Sequence, residues 1–130
     1  MFVDASVLVA ILTMEPDAKA LTARLEGGRG LFTSPVAVFE TVTSVARKSR
    51  LPADRVMQRV QSFLDDASIE TRAINEKTGK RAIEAYVRYG KGSGHPSRLN
   101  LGACFAYAMA RQHGVPLLYK GDDFARTDLA

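Results

Sequence analysis

Met1-Phe2-Val3-Asp4-Ala5-Ser6-Val7 is the stretch on which the reading of this chain turns. An aliphatic start runs into an acid, a small residue and a hydroxyl, and then into the apolar run Val7-Leu8-Val9-Ala10-Ile11-Leu12. This order predicts a short buried strand over Phe2 to Asp4 and a helix from Ala5 to about Thr13. Asp4 then stands at the carboxyl end of a strand, the edge of an open α/β sheet at which ligands bind. A carboxylate in that place is costly unless something pairs with it. Two readings stay open from the stretch alone: a plain helix N-cap accepting the amide of Ser6 or Val7, or a functional acid.

Working outward, the remaining pattern alternates in the same way. Asp17 to Glu26 reads as a helix ended by Gly27-Gly28, and Leu31-Phe32-Thr33 as a second strand. Ser34-Pro35 carries the signature of a helix start, with the serine as cap and proline in the first position. The helix that it opens, to about Ser49, is expected to pack through Val38, Val42 and Val45 with Phe39 and Ala46 beside them. Glu40, Ser44 and Arg47 fall on another face. After Leu51-Pro52, the spacing of Val56, Val60, Phe63 and Leu64 is that of an amphipathic helix.

Ile69 to Ile74 alternates like a strand exposed on one face, suited to a sheet edge. Glu76 to Tyr89 is expected to be a helix with Ala82, Ile83, Tyr86 and Val87 as its apolar stripe. Gly90-Lys91-Gly92-Ser93-Gly94-His95-Pro96 reads as a mobile loop. Asn100 is the expected cap of a helix from Leu101 to about His113, closed by Gly114, and Val115 to Tyr119 supplies a fourth strand. Strands and helices in alternation predict an α/β fold over residues 1–130, one domain with a mainly parallel sheet flanked by helices on both faces.

Bulk properties narrow the function classes. A chain of 130 residues with 46% hydrophobic and 25% charged residues buries a real core in one unit. Eighteen Lys and Arg against 14 acids give a net charge of +4, compatible with a polyanionic partner without requiring one. A single cysteine, Cys104, excludes an internal disulfide and a cysteine-based zinc cage, and two histidines leave little for a His-rich metal site. Cys104 and Tyr107 read as packing residues and His95 as a plain loop residue. The run Val7 to Leu12 is too short to span a bilayer and lacks the flanks of a signal peptide, so a cytoplasmic protein is expected.

Two strand-end acid sites, Asp4 and Asp122-Asp123, are brought by parallel strands to one sheet edge, and Glu40 is a third acid on the helix that follows the second strand. Converging carboxylates repel, and a cation between them relieves the repulsion. Oxygen-only donors suit Mg²⁺ or Mn²⁺, and such an ion serves phosphodiester cleavage. The densest basic stretch, Lys77 to Arg98, has the character of a nucleic-acid track, with Lys91 and Arg98 as its phosphate candidates; a solvated helix face is the alternative for Lys77, Lys80 and Arg81.

These residues also resemble a known family. Asp4-Ala5-Ser6, Glu40, Arg98-Leu99-Asn100-Leu101-Gly102 leading to Cys104-Phe105-Ala106-Tyr107-Ala108, and Leu117-Leu118-Tyr119-Lys120-Gly121-Asp122-Asp123-Phe124 are similar to a PIN-domain toxin of the VapC type over essentially the whole length. The resemblance implies a PIN-like fold, Mg²⁺-dependent endoribonuclease activity on RNA, a VapB-type antitoxin as partner, and a homodimer that enters a higher assembly with it. It implies Asp4 and Glu40 as metal ligands, one of Asp122 and Asp123 as a further acid with Asp122 preferred, and Ser6 and Asn100 in support.

One position departs from the family pattern. Ala103 stands where the family carries an acid of the metal site, in the first turn of the later helix. Three explanations compete: an introduced Asp-to-Ala inactivation, a natural loss, or a shifted alignment. The fit of the neighbouring residues disfavours the last, and the toxicity of an active ribonuclease to its host favours the first. Two rivals remain, a catalytically silent module that binds antitoxin and represses its own operon, and a phosphatase-like enzyme with Asp4 as nucleophile. The second is disfavoured because Ser6 stands where that chemistry wants another acid.

Overall fold

A computed structural model describes all of residues 1–130. Its strands are β1 (Phe2–Val3), β2 (Phe32–Thr33), β3 (Glu70–Thr71) and β4 (Leu117–Leu118), and its helices are α1 (Ala5–Leu12), α2 (Ala18–Glu26), α3 (Pro35–Ser49), α4 (Ala53–Asp66), α5 (Glu76–Tyr89) and α6 (Leu101–His113). The sheet has the order β3-β2-β1-β4, and every pairing is parallel. The expected α/β architecture is therefore present. β3 occupies an edge as expected, but it is only two residues long and both are exposed, so the one buried face expected over Ile69 to Ile74 is limited to Ile69.

Side chains of a strand alternate between faces, and the two-residue strands use this to feed two cores. Phe2, Phe32 and Leu117 join the cluster under α5 and α6, while Val3 and Leu118 join the one under α1 to α4. Both β1 residues are wholly buried. Sheet length is thus minimal, and helix packing on each face supplies most of the burial.

Helix ends follow the local chemistry read from the sequence. The Ser34 hydroxyl accepts from the Ala37 amide at 3.1 Å, with Pro35 next in the chain. Asn100 Oδ1 accepts from the Ala103 amide at 2.9 Å, and Gly114 closes α6 in the left-handed conformation at φ 62°. Asn75 and Thr78 form a reciprocal capping box on α5.

Two packing expectations are corrected. On α5 the buried residues are Thr78, Ala82, Ala85 and Tyr89, whereas Ile83, Tyr86 and Val87 are exposed. The helix has two apolar faces, and the one with small residues is buried because it allows close approach to the alanine-rich α6, where Ala103, Ala106 and Ala110 are buried. On α3 the buried residues are Ala37, Thr41 and Val45, while Phe39 is 70% exposed. Val38, Val42 and Ala46 pack only partly.

The glycine-rich segment after α5 is more ordered in its bonding than its composition suggested. Leu99 N donates to Tyr89 O at 2.9 Å and Lys91 N to Leu99 O at 3.1 Å, which ties the two ends of the loop together. Ser93 Oγ donates to Gly90 O at 2.7 Å within it. No helix is long and apolar enough to cross a membrane.

Candidate active site at the carboxyl edge of the sheet

Because β1 lies between β2 and β4, the residue after β1 sits next to the segment that leaves β4. The Asp4 amide donates to Leu118 O at 3.0 Å, which fixes this neighbourhood. Asp4 is 8% exposed and does act as the N-cap of α1: its Oδ2 accepts from the Ser6 amide at 3.1 Å and from the Ser6 hydroxyl at 2.6 Å. Ser6 Oγ in turn accepts from the Lys120 amide at 3.0 Å. The serine thus links the ends of two strands and orients the carboxylate. Capping and a functional role are not alternatives here, since the capping carboxylate also lines a cleft of about 340 Å³.

Glu40 reaches the same cleft from the second turn of α3. Its path depends on Gly102 in α6, where a Cβ would fall on top of the Glu40 carboxyl group. A glycine near the start of a helix costs up to about 1 kcal/mol relative to alanine. Here that cost is offset by the room it leaves for an acid from a neighbouring helix.

Of the two acids after β4, Asp123 lines the cleft and Asp122 does not, so the sequence preference for Asp122 is not met in the geometry. Gly121, at φ +95°, begins the turn, and Phe124, 1% exposed and edge-on to Tyr119, plugs the loop into the core. Ala103 also lines the cleft, with its methyl group where no charge is available. Asn100 lines it too, while holding the first turn of α6. Lys91 and Arg98 are exposed elsewhere and do not reach it; Arg98 takes a left-handed φ of 48° in the loop before α6.

The electrostatics of this cleft are unfavourable to its own acids. Burial raises the pKa of Asp4, the Ser6 hydrogen bonds oppose that rise, and the charge of Asp123 adds to it. For Glu40, burial and then the charge of Asp4 push the value up to about 7. Carboxyl groups so placed gain from any cation brought among them. The donor set fits a hard divalent ion in its chemistry, being all oxygen, but no group of three His, Cys, Asp or Glu stands close enough to be a ready-made metal cage.

Three charged residues that line the cleft, Glu15, Lys48 and Lys120, were not singled out as site residues in the sequence. Glu15 Oε2 accepts from Lys120 Nζ at 2.9 Å, and its Oε1 faces Lys48 Nζ at 3.4 Å. Lys120 also lies 3.1 Å from Asp17. Hydrogen bonding to Lys120 lowers the Glu15 pKa, and Glu15 and then Asp17 raise that of Lys120. Lys48 was legible in part, because it follows Glu40 and Ser44 along α3 by four-residue steps, the spacing of one helix face. Glu15 carried no such signal, as it sits in an irregular turn whose direction depends on the packing of α1 against α2.

Comparison with known proteins agrees with this fold. The family model described as PIN domain matches residues 1–129. A VapC ribonuclease of Rhizobium meliloti is 45% identical over 139 residues, covering 98% of both chains. Ribonuclease VapC42 of Mycobacterium tuberculosis is 40% identical over 129 residues, covering 99% of this chain and 96% of its own. Among solved structures, the M. tuberculosis toxin VapC20, described as cleaving the sarcin-ricin loop, superposes with a TM-score of 0.76 at 16% identity, covering 99% of this chain and 95% of the other. A toxin-antitoxin complex from Klebsiella pneumoniae gives 0.72 at 19% identity, covering 98% and 92%. Matched along its length in sequence and in fold, the chain belongs to the PIN-domain family and, within it, to the VapC-type toxin ribonucleases.

Proposed function

We propose that this protein is the toxin of a type II toxin-antitoxin pair whose cleft is built for Mg²⁺- or Mn²⁺-dependent endoribonuclease chemistry, and that Ala103 leaves that chemistry impaired. The observation that carries the reading is the convergence of Asp4, Glu40 and Asp123 on one cleft with Ala103 in its wall. Asp4 and Glu40 are the proposed metal-holding residues, with Asp123 as the acid after β4 and an aspartate at position 103 completing the set. A cation held there would supply positive charge against a phosphodiester and would favour attack of a water on phosphorus. Ser6 keeps the Asp4 carboxylate aimed into the cleft through its 2.6 Å hydrogen bond. Asn100 holds the first turn of α6, so that residue 103 faces the same space.

A VapB-type antitoxin is the proposed protein partner, supported by the described nature of the K. pneumoniae neighbour. Exposed Phe39, Ile83, Tyr86, Val87 and Leu101 provide apolar surface for a protein partner or a second copy of the chain, consistent with a homodimer. A cytoplasmic location follows from an RNA substrate. The second reading is a silent module acting through antitoxin binding and autorepression, favoured by the alanine at 103 alone.

The test compares this chain with its Ala103→Asp form for Mg²⁺-dependent, EDTA-sensitive cleavage of total cellular RNA. Cleavage by the aspartate form, with at least a 100-fold lower rate in the alanine form, is the expected result; loss of even an outer partner of a metal ligand costs about 10–100-fold. If both forms leave RNA intact while binding antitoxin, the silent-module reading replaces this one.

A further inference from the structure

The acids of the cleft pose a problem that they do not solve. Asp4, Glu15, Glu40 and Asp123 line it, and an RNA strand brings more negative charge still. One divalent cation neutralises at most part of that set. Lys48 and Lys120 are the only basic side chains lining the cleft. They come from different elements, Lys48 from the last turn of α3 and Lys120 from just beyond β4, and they meet at one carboxylate, Glu15. Two ammonium groups held 2.9 and 3.4 Å from the two oxygens of one carboxylate form a pair of cationic donors that a single anion engages at once. Neither lysine is buried: their side chains are 34% and 46% exposed, so both remain within reach of a ligand in the cleft.

We propose that Lys48 and Lys120 bind a phosphodiester of the RNA strand beside the one to be cut, and that Glu15 is a built-in competitor that occupies these two lysines until RNA displaces it. The inference rests on the ribonuclease reading for the identity of the strand, and it moves the phosphate contacts away from Lys91 and Arg98. Glu15 keeps the two long side chains in position while the cleft is free, which reduces the ordering entropy to be lost on binding. Its cost is competition, because each lysine must exchange one carboxylate for a phosphate. Asp17, 3.1 Å from Lys120, holds that side chain at the rim during the exchange. A structural strut would need Glu15 for the cleft to function, whereas a competitor should be dispensable for binding. The two roles therefore predict opposite signs for the same substitution.

The experiment measures binding of a short fluorescein-labelled oligouridylate by anisotropy across a salt series in EDTA, so that cleavage plays no part. Lys48→Gln and Lys120→Gln should each weaken binding several-fold and lower the salt slope by about one. Glu15→Gln should tighten binding by about two- to fivefold at low salt, and Arg59→Gln on the exposed face of α4, which removes the same charge as each lysine variant, should change it little. Circular dichroism and thermal melts of each variant identify any that is misfolded, and Lys120→Arg, which retains the charge, should restore most of the affinity. Unchanged affinity and slope in both lysine variants, or weaker binding by Glu15→Gln at unchanged melting temperature, overturns the proposal, as does absence of binding by the parent chain. Cleavage by the Ala103→Asp form is scored separately: binding as predicted without cleavage retains this inference and sinks the nuclease, and cleavage with indifferent lysines does the reverse.

Discussion

Two carboxylate clusters in this protein have opposite electrostatic character. At the carboxyl edge of the sheet, Asp4, Glu40 and Asp123 face one another across a cleft, and burial and mutual repulsion raise the pKa values of Asp4 and Glu40. At the C-terminal tail, Asp128 is surrounded by donors: Tyr107 Oη donates to its Oδ1 at 2.6 Å and Tyr89 Oη at 3.4 Å, while Arg111 and Arg88 lie at 3.6 and 3.9 Å from its Oδ2. The Tyr107 hydrogen bond and the two arginines hold its pKa below the usual carboxylate range, and the phenol of Tyr107 is correspondingly raised, by burial first and by Asp128 next. One cluster is satisfied and pins the tail across α5 and α6. The other is left with unrelieved repulsion, the kind of perturbed cluster that marks a candidate functional site rather than a structural ion pair.

Changing the glycine that admits Glu40 should break this contrast with the largest effect. In an ordinary helix interior Gly102→Ala would stabilise by up to about 1 kcal/mol. Here the added methyl group displaces Glu40 or α6, and overpacking of this kind costs about 1–3 kcal/mol. Chemical denaturation should show a net loss, and Mg²⁺ should raise the melting temperature of the Ala103→Asp form much less once Gly102 is also alanine. A gain in stability with an undiminished Mg²⁺ response would mean that Glu40 needs no such space.

A smaller effect is expected at the satisfied cluster. Asp128→Asn removes a charged acceptor whose side chain is one-third exposed, so a loss of about 1 kcal/mol is expected after allowance for solvent screening. The sign with pH follows from the lowered pKa: the contribution is present above the ordinary aspartate value near 4 and is lost as pH falls through the folded value. Parent and variant should therefore converge in stability as acid titrates this group. A constant difference down to strong acid would assign the loss to packing instead.

The smallest effect is expected among the acids of the cleft. Glu40 is raised to about 7, so the folded protein holds this proton more tightly than the unfolded chain does. Its contribution is favourable at low pH and fades as pH rises from the ordinary glutamate range to about 7. Glu40→Gln should flatten the fall in metal-free melting temperature over that interval, by a few degrees once solvent screening of this half-buried group is allowed for. Mg²⁺ should stabilise the parent more at pH 8 than at pH 6. Equal pH profiles for parent and variant would show that burial in the cleft does not disfavour the ionised form of Glu40.

The legible parts of the site were those written in local chemistry. Asp4 could be placed because a strand of two residues and a capped helix adjoin it, and α3 and α6 were readable from Ser34-Pro35 and from Asn100 with Gly114, whereas the Asn75 cap of α5 emerged only in the structure. Glu40 stood out only by falling off the packing stripe of α3. Phe39, Ile83, Tyr86 and Val87 misled because apolar periodicity reports that a face is apolar, not that a neighbour covers it. Close approach of α5 to α6 needed alanines, so the larger side chains were left outside.

Sequence by itself determined the order of elements, their ends, the parallel sheet and the acids that its carboxyl edge would carry, because capping, proline and glycine preferences and hydrophobic alternation act within a few residues. Only tertiary structure decided that Asp123 rather than Asp122 reaches the cleft, that Gly102 makes room for Glu40, and that Glu15 joins Lys48 to Lys120. Those outcomes depend on where three or more segments meet in space. Each involves contacts between residues 33 to 105 positions apart in the chain or a turn whose direction the core packing sets, and no local pattern encodes either.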